Sequence, residues 1–266
     1  MTTKKTEKLL KRPDAFQIYF FETWDWLKKQ KKSLMFTFVP VALILVGAAS
    51  YQFYKRRMEV QRKHQLAVIE KAYLNEEKEF FKKKNKIFSE IETLEKIAKD
   101  QKVDNKTIVE MRRKELSEIK VDHAKSKADY LAFFNSNEKK VEGWRAGMFA
   151  SKLLVQDKKL DEAASILGKI LHHSIGIDFY QVQVRLMYIA ILEDLKKFDE
   201  SLAESDKLIA LAPTDMHPRV YLNKARIQME AGKKEDALKT LELLITKYSG
   251  TSESRQALVM KVLQFN

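Results

Sequence analysis

Cysteine is absent from all 266 residues, which excludes disulfides, thiolate metal sites and cysteine nucleophiles. Only 7 glycines and 4 prolines are present. A chain this poor in turn-formers lacks the punctuation that strands and tight loops require, so the expected class is all-α with long helices. Catalytic punctuation is missing too. There is no phosphate-cradling glycine loop, no Gly-x-Ser-x-Gly and no His-Glu-x-x-His. Of 5 histidines, only His172 and His173 are neighbours. Adjacent residues on a helix point about 100° apart and share a metal poorly. The acidic pairs Asp161-Glu162 and Asp199-Glu200 read as solvated turn charges that favour a helix N-terminus. No catalytic residue, metal ligand or cofactor is assigned, and a non-enzymatic protein is expected.

What the chain has is charge, unevenly placed. The formal net charge is +13, from 50 Lys+Arg against 37 Asp+Glu. Residues 138–266 hold 20 basic and 18 acidic side chains, or +2, so residues 1–137 carry 50−20=30 against 37−18=19, or +11. A nucleic-acid binder carries its basic patch on its folded domain. Here the excess flanks an apolar segment instead, which suits anionic lipid headgroups.

That segment, residues 33–54, contains no charged side chain. At about 1.5 Å per residue, 34–54 spans roughly 30 Å, the thickness of a bilayer core. Lysines 28, 29, 31 and 32 precede it, Lys55, Arg56 and Arg57 follow, and aromatics lie near both ends. A single transmembrane helix is the expectation. A buried core helix is rarely apolar on every face over this length. A cleaved leader, suggested by Val46-Gly47-Ala48, is opposed by the long preceding tail and by the aromatic continuation. In that tail (1–33), Phe16, Phe20, Trp24 and Leu27 form one stripe of a short helix. It either lies on the membrane surface or packs at the base of the spanning helix. The tail holds nine Lys+Arg, and the twenty residues after the helix hold six. Counting only the twenty residues before the helix lowers the tail to four. Because a short tail counts whole and a long far-side domain counts little, the N-terminus is expected on the cytoplasmic side.

Residues 55–137 read as a long helical hairpin. Apolar doublets recur every seven residues (Tyr73-Leu74, Phe80-Phe81, Ile87-Phe88), which is a heptad-like stripe. A turn is expected at 102–106, followed by a second helix running to about Phe134. A dimeric coiled coil is the alternative, although charges at Glu76, Glu77, Lys83, Lys84 and Glu90 interrupt a continuous seam.

Residues 138–266 show a repeat. The segments Lys158-Lys159-Leu160-Asp161-Glu162-Ala163, Lys196-Lys197-Phe198-Asp199-Glu200-Ser201 and Lys233-Lys234-Glu235-Asp236-Ala237 align. Their small residues at 163, 201 and 237 are separated by 38 and 36 positions. Helix-turn-helix units near this period mark tetratricopeptide-type repeats, in which small residues let two helices approach. Ser151 and Ala225 fill the small position of the first helix, whereas Ile189 departs from it. Such arrays bind partner segments on the face formed by their first helices. Register assigns to that face Arg145, Met148 and Lys152, then Gln183, Leu186 and Ala190, then Arg219, Leu222, Arg226 and Met229. Their mix of basic and soft apolar groups suits a segment with an acidic or carboxylate element.

The stretch Gly143-Trp144-Arg145-Ala146-Gly147-Met148-Phe149-Ala150-Ser151-Lys152-Leu153-Leu154 has a family likeness, as do Lys159-Leu160-Asp161-Glu162-Ala163-Ala164 and Val184-Arg185-Leu186-Met187-Tyr188-Ile189-Ala190. With the aromatic tail and spanning helix, it resembles the YfgM-like family of ancillary translocon subunits. The resemblance implies a bacterial inner-membrane protein with a periplasmic repeat domain. Its implied partners are translocon subunits, a membrane-anchored periplasmic chaperone and secreted clients. From the residues themselves, no cofactor, nucleic acid or small-molecule substrate is expected. The enlarged hairpin at 60–130 departs from the family pattern and bears on partner identity. The alternative is a structural scaffold of another cell-envelope machine.

Overall fold

A computed structural model describes residues 15–101 and 105–265. The basic run at 4–12 and positions 102–104 of the expected turn lie outside the described residues. Among the described residues there are eleven α-helices, a three-residue 3-10 turn and no strand. The chain divides into two compact units, Met1–Gln61 and Arg62–Asn266.

The first unit contains α1 (Ala15–Lys29), then, after Gln30, the beginning of α2 (Lys31–Gln101). Pro40 sits inside α2 without ending it. A spanning helix tolerates such a residue because local adjustments satisfy the carbonyl that Pro leaves free. α2 is long and apolar enough to cross a membrane, and none of its apolar window is buried within the protein. Phe38, Leu43, Ile44, Leu45, Val46 and Phe53 are all exposed. The buried-core-helix alternative therefore has no packing partners to support it. On α1, Phe20 and Trp24 stack at 6.2 Å, with Phe16 and Tyr19 exposed beside them.

In the second unit the apolar doublets of α2 split by face. Tyr73, Phe80 and Ile87 are buried or half-buried, whereas Leu74, Phe81 and Phe88 are exposed. Leu66, Ile69 and Tyr73 join the core built by the helices that follow. Farther along, Ile87 and Ile91 pack on Val109, Leu116 and Ile119. Those last three belong to α3 (Lys106–Glu118) and the residue after it. Ion pairs order this contact: Arg113 meets Glu95 at 2.6 Å and Arg112 meets Glu90 at 3.2 Å. Beyond them His123 places its two ring nitrogens 3.0 and 2.9 Å from Glu76 and Glu77. Rising numbers on one side meet falling numbers on the other, so α3 runs back along α2.

The helix expected to reach Phe134 without interruption is two helices, α3 and α4 (Ala124–Ser136). The chain turns extended at Ile119, and the Asp122 carboxylate accepts the Ala124 N–H, starting a new helix. Aspartate competes for backbone donors in this way and favours a helix start over a helix interior.

Three helix pairs follow: α5 (Val141–Gln156) with α6 (Leu160–His173), α7 (Asp178–Asp194) with α8 (Phe198–Leu211), and α9 (His217–Glu230) with α10 (Lys234–Lys247). The last helix is α11 (Ser252–Phe265). Each pair closes through one turn geometry. Lys158, Lys196 and Gly232 adopt φ of 60°, 60° and 76°. The next N–H donates to the carbonyl five residues back in every case, Lys159 to Leu154, Lys197 to Leu192 and Lys233 to Gln228, each at 2.8 Å. This is the Schellman arrangement, which satisfies the carbonyls a helix end leaves orphaned. Ala163, Ser201 and Ala237 are fully buried in the pairs, as are Ser151 and Ala225. The Ser151 hydroxyl donates to the Ala163 carbonyl, and in the middle pair, where Ile189 replaces the small residue, Ser201 donates to the Ile189 carbonyl instead.

The turn charges also link successive pairs. Lys197 reaches Asp161 at 3.6 Å, and Lys233 reaches Asp199 at 2.6 Å. These carboxylates do more than solvate a helix start, although exposed pairs of this kind contribute under about 1 kcal/mol each.

Candidate protein-binding groove

The first helices of the second and third pairs, together with α11, enclose a cavity of about 600 Å³ floored by α8. Leu186, Ile189 and Ala190 come from α7, Leu208 from α8, Val220 and Leu222 from α9, and Met260 from α11. These groups reach the cavity because α7 and α9 bury their other faces: Val184 and Ile191 pack toward the first pair, and Ile227 toward α8. The walls are therefore fixed by a core rather than by a loop.

The charged rim consists of Arg219 and Arg226 with Glu193 and Glu253. Glu193 holds Arg226 bidentately, one contact at 2.7 Å, and Glu230 adds another at 3.0 Å. These hydrogen bonds, from Glu193 above all, hold the Arg226 guanidinium above its ordinary pKa. Glu253 is held below the usual carboxylate range by the Ser252 hydroxyl, with Arg219 assisting. Two arginines thus face two carboxylates, and Arg226 is already neutralised within the protein. Outside the lining, Arg185 binds Glu204 and Gln181, and its burial lowers its pKa. That pair ties α7 to α8 and leaves the cavity to softer groups.

The positions read from repeat register fall into two groups. Leu186, Ala190, Arg219, Leu222 and Arg226 line the cavity together. Gln183 is exposed on α7 outside the lining, and Met229 is half-buried on α9. Arg145, Met148 and Lys152 lie on α5, away from this cavity. There Arg145 pairs with Glu70 of α2 at 2.8 Å, Met148 packs against the first core cluster, and Lys152 is exposed. Tyr73 of α2 lies 6.3 Å from Phe149 of α5, so α2, through Glu70 and Tyr73, meets this face of the first pair. The sequence reading stopped at three units and missed the wall contributed by α11. A signal was present: Glu253, Gln256 and Met260 follow Arg219, Leu222 and Arg226 by 34 residues each (253−219, 256−222, 260−226), and all six line the cavity.

No known protein family matches the chain, and no curated protein or solved structure shows significant similarity to it.

Proposed function

We propose that this chain is a non-enzymatic, membrane-anchored protein-interaction module. In this reading residues 34–54 span the membrane, α2 and α3 form a helical hairpin, and the three pairs with α11 are tetratricopeptide-type repeats. The observation that carries the reading is the apolar-floored cavity built from repeat-related positions of α7, α9 and α11. A lining of leucine, isoleucine and methionine with a charge-balanced rim suits an apolar segment of another chain, oriented by polar groups at its edges. Because Arg226 is already bound, an apolar anchor matters more here than a carboxylate. The resemblance of residues 143–154, 159–164 and 184–190 to the YfgM-like family supports a location in the bacterial inner membrane, with the repeats in the periplasm. There it works as an adaptor or chaperone-like partner of the translocon, meeting secreted chains. The rival scaffold role in another envelope machine draws on the same groove and anchor.

In intact cells, a photo-crosslinking residue at Leu222 should capture translocon subunits, the periplasmic chaperone or secreted chains. Capture restricted to components of another envelope machine would favour the scaffold, and no capture would remove the groove from the reading. A reporter active only in the periplasm, fused after Asn266, should be active. If it is silent, the topology is inverted and the translocon role fails with it.

A further inference from the structure

α11, the last of the described helices, carries an apolar outer face. Leu258, Val259, Val262 and Leu263 are 52%, 56%, 50% and 74% exposed. At 3.6 residues per turn they share one side of the helix, turned away from the buried Ser254 and Ala257. A helix in such an array whose outer face stays in water ordinarily carries polar residues there. We propose that α11 of a second copy covers this face, the two helices packing antiparallel about a two-fold axis.

The pattern is self-complementary. The run from Leu258 to Leu263 reads Leu-Val-Met-Lys-Val-Leu, with the same apolar residues in either direction. An axis between positions 260 and 261 sets Leu258 against Leu263 of the other copy, and Val259 against Val262. That is the reciprocal pairing an isologous interface requires. None of the four carries a charge that would select a different partner. Lys261 does not oppose the pairing, since it turns inward to Glu242 at 2.7 Å. Arg255, exposed on the same side, lies toward the C-terminal end of the other helix, where the helix dipole favours a cation.

Size sets the strength. The stripe exposes roughly 400 Å² per copy, the scale at which an apolar patch marks an interaction site. Pairing then removes about 800 Å², below the roughly 1,200–2,000 Å² of a standard interface. Such a contact is transient between free molecules, and confining copies to one membrane raises their effective concentration. The pairing is independent of what the groove binds, although Met260 belongs to both the groove and α11.

The absence of cysteine makes the test clean. Val259→Cys introduces a single thiol into the full chain, to be treated in its native membranes with a short bifunctional maleimide. A species of twice the chain mass should form in at least tenfold greater yield than from Glu235→Cys, an exposed position on α10. Adding Leu263→Glu should cut that yield at least tenfold while helicity and melting stay unchanged. Equal yields at 259 and 235, no doubled species, or a product containing a different polypeptide would each overturn the proposal.

Discussion

Gly147 and Gly168 both lie inside helices, α5 and α6, yet the same substitution should move stability in opposite directions. Replacing a mid-helix glycine by alanine gains about 1 kcal/mol of helix propensity at either site. At Gly168 the nearest atom to an added methyl is the Tyr188 hydroxyl, at 4.0 Å, so that gain should survive. At Gly147 the methyl would stand 2.7 Å from Phe134 Cδ2, 2.9 Å from Ile170 Cδ1 and 3.1 Å from Ile166 Cγ2. Phe134 and Ile170 are fully buried and cannot swing into solvent. Overpacking of this kind costs about 1–3 kcal/mol, and three simultaneous clashes place it in the upper half of that range. The net expectation is a loss of about 1–2 kcal/mol for Gly147→Ala and a gain of about 0.5–1 kcal/mol for Gly168→Ala. In thermal unfolding of a chain beginning at residue 62, followed by circular dichroism, the first should melt about 5 °C lower and the second about 2 °C higher. If both variants shift the same way, the close approach of α4, α5 and α6 at Gly147 is wrong.

Lys196→Gly should stabilise the same fragment by about 0.5–1 kcal/mol, because Lys196 holds a left-handed φ that costs an L residue energy, while Gly232→Ala should cost about 1 kcal/mol. Equal urea midpoints for all three proteins would contradict the shared turn. Ala237→Leu, at a fully buried contact of α10, should lower stability by about 1–3 kcal/mol, read from the urea midpoint. The Lys169 hydrogen bond holds the Glu138 carboxyl below its usual range, so its contribution is present above the unfolded carboxylate pKa and lost as pH falls through the lower folded value. The small deficit of Lys169→Gln at pH 7 should therefore vanish near pH 2, and a deficit that persisted there would need another cause. Alkaline carbonate washing should leave the full chain in the membrane pellet, whereas release at full length would refute the anchor.

Helical class was legible because it depends on what the sequence lacks. Seven glycines and four prolines leave little to interrupt backbone hydrogen bonding. The uncharged stretch at 33–54 was equally plain, since its chemistry is continuous along the chain. The recurring motif was visible in the small residues at 163, 201 and 237, and the turns before them, at Lys158, Lys196 and Gly232, share one backbone geometry. Less visible was the break at 119–123, where Ile119 turns extended and the Asp122 carboxylate takes up the Ala124 N–H.

The groove divides along the same line. Sequence register selected the cavity-lining positions of α7 and α9 because each repeats its neighbour's environment. It extended the face equally to Arg145, Met148 and Lys152, since period alone does not reveal that α2 meets that face through Glu70 and Tyr73. Nor did it reveal that Arg226 is neutralised by Glu193, 33 residues away. The sequence by itself determined which residues recur, because recurrence follows local periodicity. Only the tertiary structure decided which recurring residues stay open to a partner, because covering and neutralisation come from segments distant along the chain.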